Sequence, residues 1–239
     1  MALDPFVGSG GAGCECATHA HKNGKHTNPT PRPHKNIMTP CARLTPPQPT
    51  DQRGYHEVNV LFVCTGNVCR SPMAEGFLRK EAADRGMNID VRSTGTHAWT
   101  GRAATIDGRK VMAEMGVPID DHRTLELDRD LVEWADLVIG LSREHVRETV
   151  RAFPEALTRT FTLKGFVELL PSLPAFQDTE SWLTEASRLR DTGDAAADQD
   201  VDDPIGEREA AYRRVASEIR DLVERLAQGF EGKKVRMQA

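Results

Sequence analysis

No cysteine follows Cys69: all five (Cys14, Cys16, Cys41, Cys64 and Cys69) lie in the first 69 of 239 residues. That distribution is no framework for stapling the remaining chain, so the thiols read as reactive groups, metal ligands or chance. No apolar run reaches the length needed to cross a bilayer, and the first thirty residues lack the apolar core of a secretory signal. A cytoplasmic protein with no membrane partner is expected. Neither sign of charge dominates, with 31 Lys and Arg against 36 Asp and Glu and a net charge of −5. The basic residues are scattered among acidic ones, so no nucleic-acid partner is expected. Oligomeric state is not legible.

Large apolar side chains are scarce in residues 1–56, where Gly, Pro, Thr, His and Lys dominate. Such a stretch cannot bury enough surface to offset its ordering entropy, and it is expected to be a disordered tail. Its Asp4 to Gly10 segment (DPFVGSG) looks like a methyltransferase cofactor motif but lacks the strand that would give it context. Cys14, Cys16, His19, His21, His26, His34 and Cys41 match no paired zinc half-sites cleanly, and no metal site is expected.

From Glu57 onward strand-like and helix-like segments alternate. Val58 to Val63 is a nearly continuous apolar run of the kind buried in a parallel sheet. Further strands are expected at Ile89 to Ser93, Asp136 to Leu141 and Thr160 to Leu163. Helices are expected at Ser71 to Arg85, Ala104 to Met115, Glu144 to Ala152 and Glu207 to Gln228. The last carries Tyr212, Val215, Ile219, Leu222 and Leu226 on one stripe. The expectation is an α/β, doubly wound, four-stranded parallel sheet of flavodoxin-like type, with helices on both faces of a single domain at 57–230. An insertion at about 164–200, with Trp182 and Leu183 on a helix, and a tail at 231–239 complete the chain.

In such sheets ligands sit beyond the carboxyl ends of the strands. The loop after the first strand reads Cys64-Thr-Gly-Asn-Val-Cys-Arg-Ser-Pro72. A strand, a turn at Gly66 and Asn67, and a helix starting near Ser71 would curl backbone N–H groups around one point, an anion nest. The loop Thr65, Gly66, Asn67, Val68, Cys69 and Ser71 is thus a candidate phosphate cradle, with Asn67 tolerating a left-handed backbone. Aligned amides and the Arg70 guanidinium favour a thiolate at Cys64, a nucleophile. Arg70 can hold two phosphate oxygens with its planar fork, and Ser71 can donate to the sulfur. A phenolate or alkoxide leaves poorly unless protonated, and Asp202-Asp203-Pro204 offers a carboxylate held on a loop by the proline.

Val63 to Glu75 (VCTGNVCRSPMAE) resembles the signature of low-molecular-weight protein-tyrosine phosphatases, and the Asp-Pro near the carboxyl end resembles their acid loop. The acid follows the cysteine loop, as in that small family and unlike larger tyrosine phosphatases. The resemblance implies Cys64 as nucleophile, Arg70 as clamp and Asp203, rather than Asp202, as acid. It implies that Ser93 and His122 join Asn67 and Ser71 in a loop-shaping network, that Trp99 lines the cleft, and that Cys69 can form a protective disulfide with Cys64. Members preferring phosphoarginine tend to carry threonine where Val68 stands, so a phosphotyrosine-containing protein is the expected substrate. The activity implied is hydrolysis through a phosphocysteine, with no cofactor.

Two features depart from the pattern. Ile205 and Gly206 follow Asp203-Pro204 where many members carry tyrosine, and the 164–200 region is longer than in short members. Two other functions share parts of the sequence. An arsenate reductase would use the same loop, but thioredoxin-linked versions need downstream cysteines, leaving a small-thiol version. A non-catalytic phosphotyrosine-binding module would not need the combination of Cys64, Arg70 and Asp203.

Overall fold

The computed structural model describes residues 58–174, 178–192 and 199–231. The apolar run becomes β1 (Val58–Cys64), fully sandwiched. Val60, Phe62 and Cys64 face one layer, and Leu61 and Val63 face the other. There follow α1 (Arg70–Arg85), β2 (Ile89–Gly95), α2 (Ile106–Glu114), α3 (Arg129–Trp134), β3 (Leu137–Gly140), α4 (Arg143–Ala152), β4 (Thr160–Thr162), α5 (Leu163–Leu169), α6 (Thr179–Thr192) and α7 (Glu209–Glu231). The four strands are all parallel in the order β2-β1-β3-β4, the expected doubly wound arrangement. The order reverses on either side of β1, so the crevice beyond Cys64 is the switch point where ligands bind in such sheets.

On one face α1 and α7 pack together over β1 and β2, flanked by α2 and α5. On the other, α3 and α4 cover β1 and β3, with Leu131, Val132 and Ala156 against Leu61, Val63 and Val138. Of the expected α7 stripe, Tyr212, Val215, Ile219 and Leu226 are buried, whereas Leu222 is half-buried and its neighbour Val223 is fully buried. Fully burying side chains such as Ile219 and Leu226 stabilises the fold by about 1.5–3 kcal/mol each.

Several boundaries differ from the sequence reading for local reasons. Helix α2 starts at Ile106, not Ala104, because Thr105 is its cap and accepts from the Gly108 N–H. Helix α7 starts at Glu209 rather than Glu207. Helix α3, capped by Asp128, is six residues long and was too short to read as a period. Helix α5 falls almost entirely within the expected 164–200 insertion, yet it contributes Leu163, Phe166 and Val167 to the larger core. Helix α6 packs through Trp182, Leu183 and Ala186, with Trp182 edge-on to Phe166 at 5.3 Å.

Each edge of the sheet meets an arginine. On β2, Arg79 donates from Nε and Nη2 to the Val91 carbonyl at 3.1 and 2.8 Å. On β4, Arg190 of α6 lies over the Phe161 ring and donates to the Thr160 carbonyl at 2.9 Å. Among the described residues no helix is long and apolar enough to cross a membrane, and no cluster of three metal-ligating side chains occurs. The cysteine and histidine set of residues 14–41 and the Asp4 to Gly10 motif lie outside the described residues.

Candidate active site

Beyond β1 the chain curls from Cys64 to Cys69, the residue preceding α1, and Asn67 sits at φ 53°. It is the one non-glycine with positive φ among the described residues, and an asparagine tolerates that conformation better than most side chains. The Asn67 N–H lies 3.2 Å from Cys64 Sγ, and Ser71 Oγ lies 3.0 Å from the same sulfur. The Ser71 hydroxyl has one proton and two acceptors in reach, Cys64 Sγ and the Thr94 carbonyl at 3.2 Å. It can therefore turn to the sulfur when that carries negative charge and back to the carbonyl otherwise.

The buried Asn67 side chain ties the loop to its surroundings. Its Nδ2 donates to Ser71 Oγ at 2.9 Å and Ser93 Oγ at 2.8 Å, while its Oδ1 accepts from the Leu125 N–H at 2.8 Å. The Ser93 hydroxyl in turn donates a hydrogen bond to the carboxylate of buried Glu75. His122 Nε2 donates to the Asn67 carbonyl at 2.9 Å, with Nδ1 3.8 Å from Glu75. The four residues expected to form one network thus touch one another, and Glu75 completes it. Arg79 pairs with that carboxylate at 2.7 Å, so the charge behind the loop is not left alone.

Arg70 begins α1 with its guanidinium buried. Nη1 donates to the Val201 carbonyl at 3.2 Å, and Nη2 meets Asp203 Oδ2 at 2.6 Å. Residues 133 positions apart are thereby brought together. Asp203 remains 42% exposed, whereas Asp202 turns away to Arg214 at 2.9 Å. The 199–206 segment is held on several sides: Val201 N–H donates to the Leu141 carbonyl, Arg143 N–H to Asp200, Lys164 to the Asp200 carbonyl, and Ile205 N–H to Asp203 itself. Trp99 is 70% exposed on the loop after β2, its ring beneath the Arg102 guanidinium at 4.2 Å.

Cys69 faces inward, away from this surface. Its sulfur lies 3.3 Å from Thr105 Oγ1 and 3.7 Å from Tyr212 Oη, and burial pushes its thiol up to about 11. Val68 is half-buried and holds α2 in place through its carbonyl, which accepts from the Thr105 N–H.

The profile of the low molecular weight phosphotyrosine protein phosphatase family matches residues 59–172. A protein-arginine-phosphatase of Geobacillus stearothermophilus is 32% identical over 172 residues, spanning 72% of this chain and 95% of its own. The chain belongs to the low molecular weight phosphotyrosine protein phosphatase family. Etp, a low molecular weight protein-tyrosine-phosphatase of Escherichia coli K12, is 31% identical over 46% of this chain and 72% of its own. The crystal structure of a low molecular weight protein tyrosine phosphatase from T. tengcongensis aligns with a TM-score of 0.58 at 31% identity, covering 72% of this chain and 99% of that one.

Sequence reasoning missed three residues of this phosphatase's site. Glu75 stood inside the signature without a role. Gly95 is needed because a Cβ there would lie 2.5 Å from the Thr65 carbonyl and 2.8 Å from the Asn67 nitrogen, and its only sequence signal is a glycine ending a strand. His145, 2% exposed on α4, sits with Nε2 3.0 Å from Thr65 Oγ1 and Nδ1 3.0 Å from Ser142 Oγ. Nothing in the sequence distinguishes it from a surface histidine of an amphipathic helix.

Burial, reinforced by the nearby Arg70 charge, lowers His145 from 6.5 to about 4. The unfolded chain binds this proton more readily than the folded one, so the contribution to stability is complete above pH 6.5 and shrinks as pH falls toward 4. Urea unfolding at pH 7 and pH 5 is expected to show the wild type losing about 2 kcal/mol more than His145→Phe. Equal losses in the two proteins would contradict a neutral buried imidazole.

Proposed function

We propose that the phosphatase hydrolyses phosphotyrosine in protein substrates, with Cys64 as nucleophile, Arg70 as phosphate clamp and Asp203 as proton donor. The observation that carries this reading is the convergence of Arg70 and Asp203, 133 positions apart, at the loop that begins at Cys64. In the first step the Cys64 thiolate attacks phosphorus, the P–O bond breaks, and Asp203 protonates the departing phenolate. In the second, Asp203 takes a proton from water as its oxygen attacks, the P–S bond breaks, and inorganic phosphate leaves. Ser71 donates to the emerging thiolate. Arg70 and the loop amides hold the equatorial oxygens on which charge accumulates.

Two side chains support an aromatic leaving group. Trp99 offers an exposed ring, and Val68 in the loop is apolar. A phosphoarginine substrate would bring guanidine N–H donors in need of acceptors, and Val68 supplies none. The resemblance to a protein-arginine-phosphatase along most of the chain favours the second reading, phosphoarginine. Parallel assays with a phosphotyrosine peptide and a phosphoarginine protein discriminate: kcat/KM is expected to be at least about tenfold higher for phosphotyrosine. The reverse order would reject the tyrosine assignment, and reduction of arsenate with a small thiol in place of either hydrolysis would reject both.

The same reading gives Cys69 a redox role. Disulfide closure requires a peroxide to oxidise the Cys64 thiolate to a sulfenic acid, the peroxide O–O bond breaking, and then the Cys69 thiolate to attack that sulfur with loss of hydroxide; burial of the Cys69 thiol keeps the second step slow at neutral pH.

A further inference from the structure

Ser142 precedes α4 in the N-cap position, where serine normally bonds an amide of the first helical turn, yet its side chain caps nothing. Its hydroxyl is spent on His145 Nδ1, 3.0 Å away. The first amide of α4, that of Arg143, is instead met by Asp200 Oδ1 at 2.7 Å, from the segment that carries Asp203. At its other nitrogen His145 reaches Thr65, the residue directly after Cys64, at 3.0 Å. One helical turn therefore grips the nucleophile loop through a side chain and the acid loop through a backbone amide. The mechanism above uses neither His145 nor the Thr65 hydroxyl.

A neutral imidazole carries one N–H, so the direction of this chain is set at one end. Both tautomers fit the two contacts; in the one where Ser142 donates to Nδ1, Nε2–H donates to Thr65 Oγ1 and the Thr65 proton is left to point elsewhere. Thr65 is exposed as a residue, and its own carbonyl is engaged by the His97 N–H at 2.8 Å, so its backbone place in the loop is fixed. The charged groups around the imidazole are Arg70, Asp203, Asp200 and Glu144, the first two of which meet at the mouth of the phosphate loop.

We propose that His145 is a positioning residue for the phosphatase reaction: held by Ser142, it aims the Thr65 hydroxyl at the phosphoryl oxygens as one further hydrogen-bond donor. This rests on the phosphocysteine reading above. A donor aimed where charge accumulates is felt in kcat more than in KM.

Steady-state kinetics with an aryl phosphate test it. Thr65→Val, which removes the hydroxyl at an exposed site and keeps the side chain's shape, is expected to lower kcat about tenfold with KM changed less than about twofold. His145→Phe should do the same, the double variant should be no slower than either single one, and His145→Gln, which restores a donor, should recover part of the loss. Thr65→Val at wild-type kcat overturns the proposal even if His145→Phe folds poorly, and so do losses that multiply in the double variant. Wild-type turnover alongside unaffected variants would leave the phosphatase reading standing and remove this inference alone.

Discussion

Cys64→Ser is expected to abolish turnover of an aryl phosphate, a loss of about four orders of magnitude or more. The hydroxyl that replaces the thiol is not ionised at neutral pH, and among the described residues the hydrogen-bonding groups at that position are the Asn67 N–H and the Ser71 hydroxyl, neither of them a base. The substitution nearly conserves volume in a buried position, so the urea midpoint should hardly move. Inorganic phosphate should still bind, since Arg70 and the loop amides remain, and calorimetric titration reads that directly. A serine variant with measurable turnover would mean that the sulfur is not the nucleophile. Loss of turnover together with loss of phosphate binding would point to a collapsed loop and not to missing chemistry.

Asp203→Asn is expected to lower kcat about 10²- to 10³-fold with phosphotyrosine and far less with an aryl phosphate whose phenol is a strong acid. The amide keeps the shape of the carboxyl group but has no acidic proton to transfer to the leaving group. Asp202→Asn is the control, because Asp202 faces outward to Arg214 and should leave both substrates within about twofold. Equal losses with good and poor leaving groups would assign Asp203 to holding Arg70 rather than to proton transfer. That alternative has a structural basis in the 2.6 Å pair, which makes the leaving-group comparison more informative than either rate alone.

The sheet and the nucleophile loop were legible because their signals are local. An apolar run, a turn with Asn67, and a helix start lie within a stretch of seventeen residues, 58–74, and each constrains the next. The left-handed backbone at Asn67 fits a residue type that tolerates it, placed in the tight turn between strand and helix. Asp203 needed chemistry and resemblance together, since its partner lies 133 positions away. The groups that brace the loop from behind were harder to read. Glu75 and Gly95 act through close approach in space, and no spacing rule marks a buried carboxylate or a missing Cβ. His145 was hidden by its helix, where three of its neighbours (Arg143, Arg147 and Arg151) make the segment read as a solvated face. Helix α5 was missed for the opposite reason: Leu163, Phe166 and Val167 form a proper apolar face, but over too few residues for a period to emerge.

The arginines at the two rims of the sheet bear on how a substrate chain is read. A polypeptide that docks by strand addition needs a run of free carbonyls and amides along an edge. Here the Val91 carbonyl on β2 is taken by Arg79, the amide and carbonyl of Gly95 are bonded to the 125–127 segment, and the three-residue β4 has its Thr160 carbonyl under Arg190. Those groups are closed to a docking strand, and the expectation is that the loops around Cys64 read a phosphorylated side chain inserted end-on. Such an enzyme chooses its targets by the accessibility of the modified residue more than by the sequence around it.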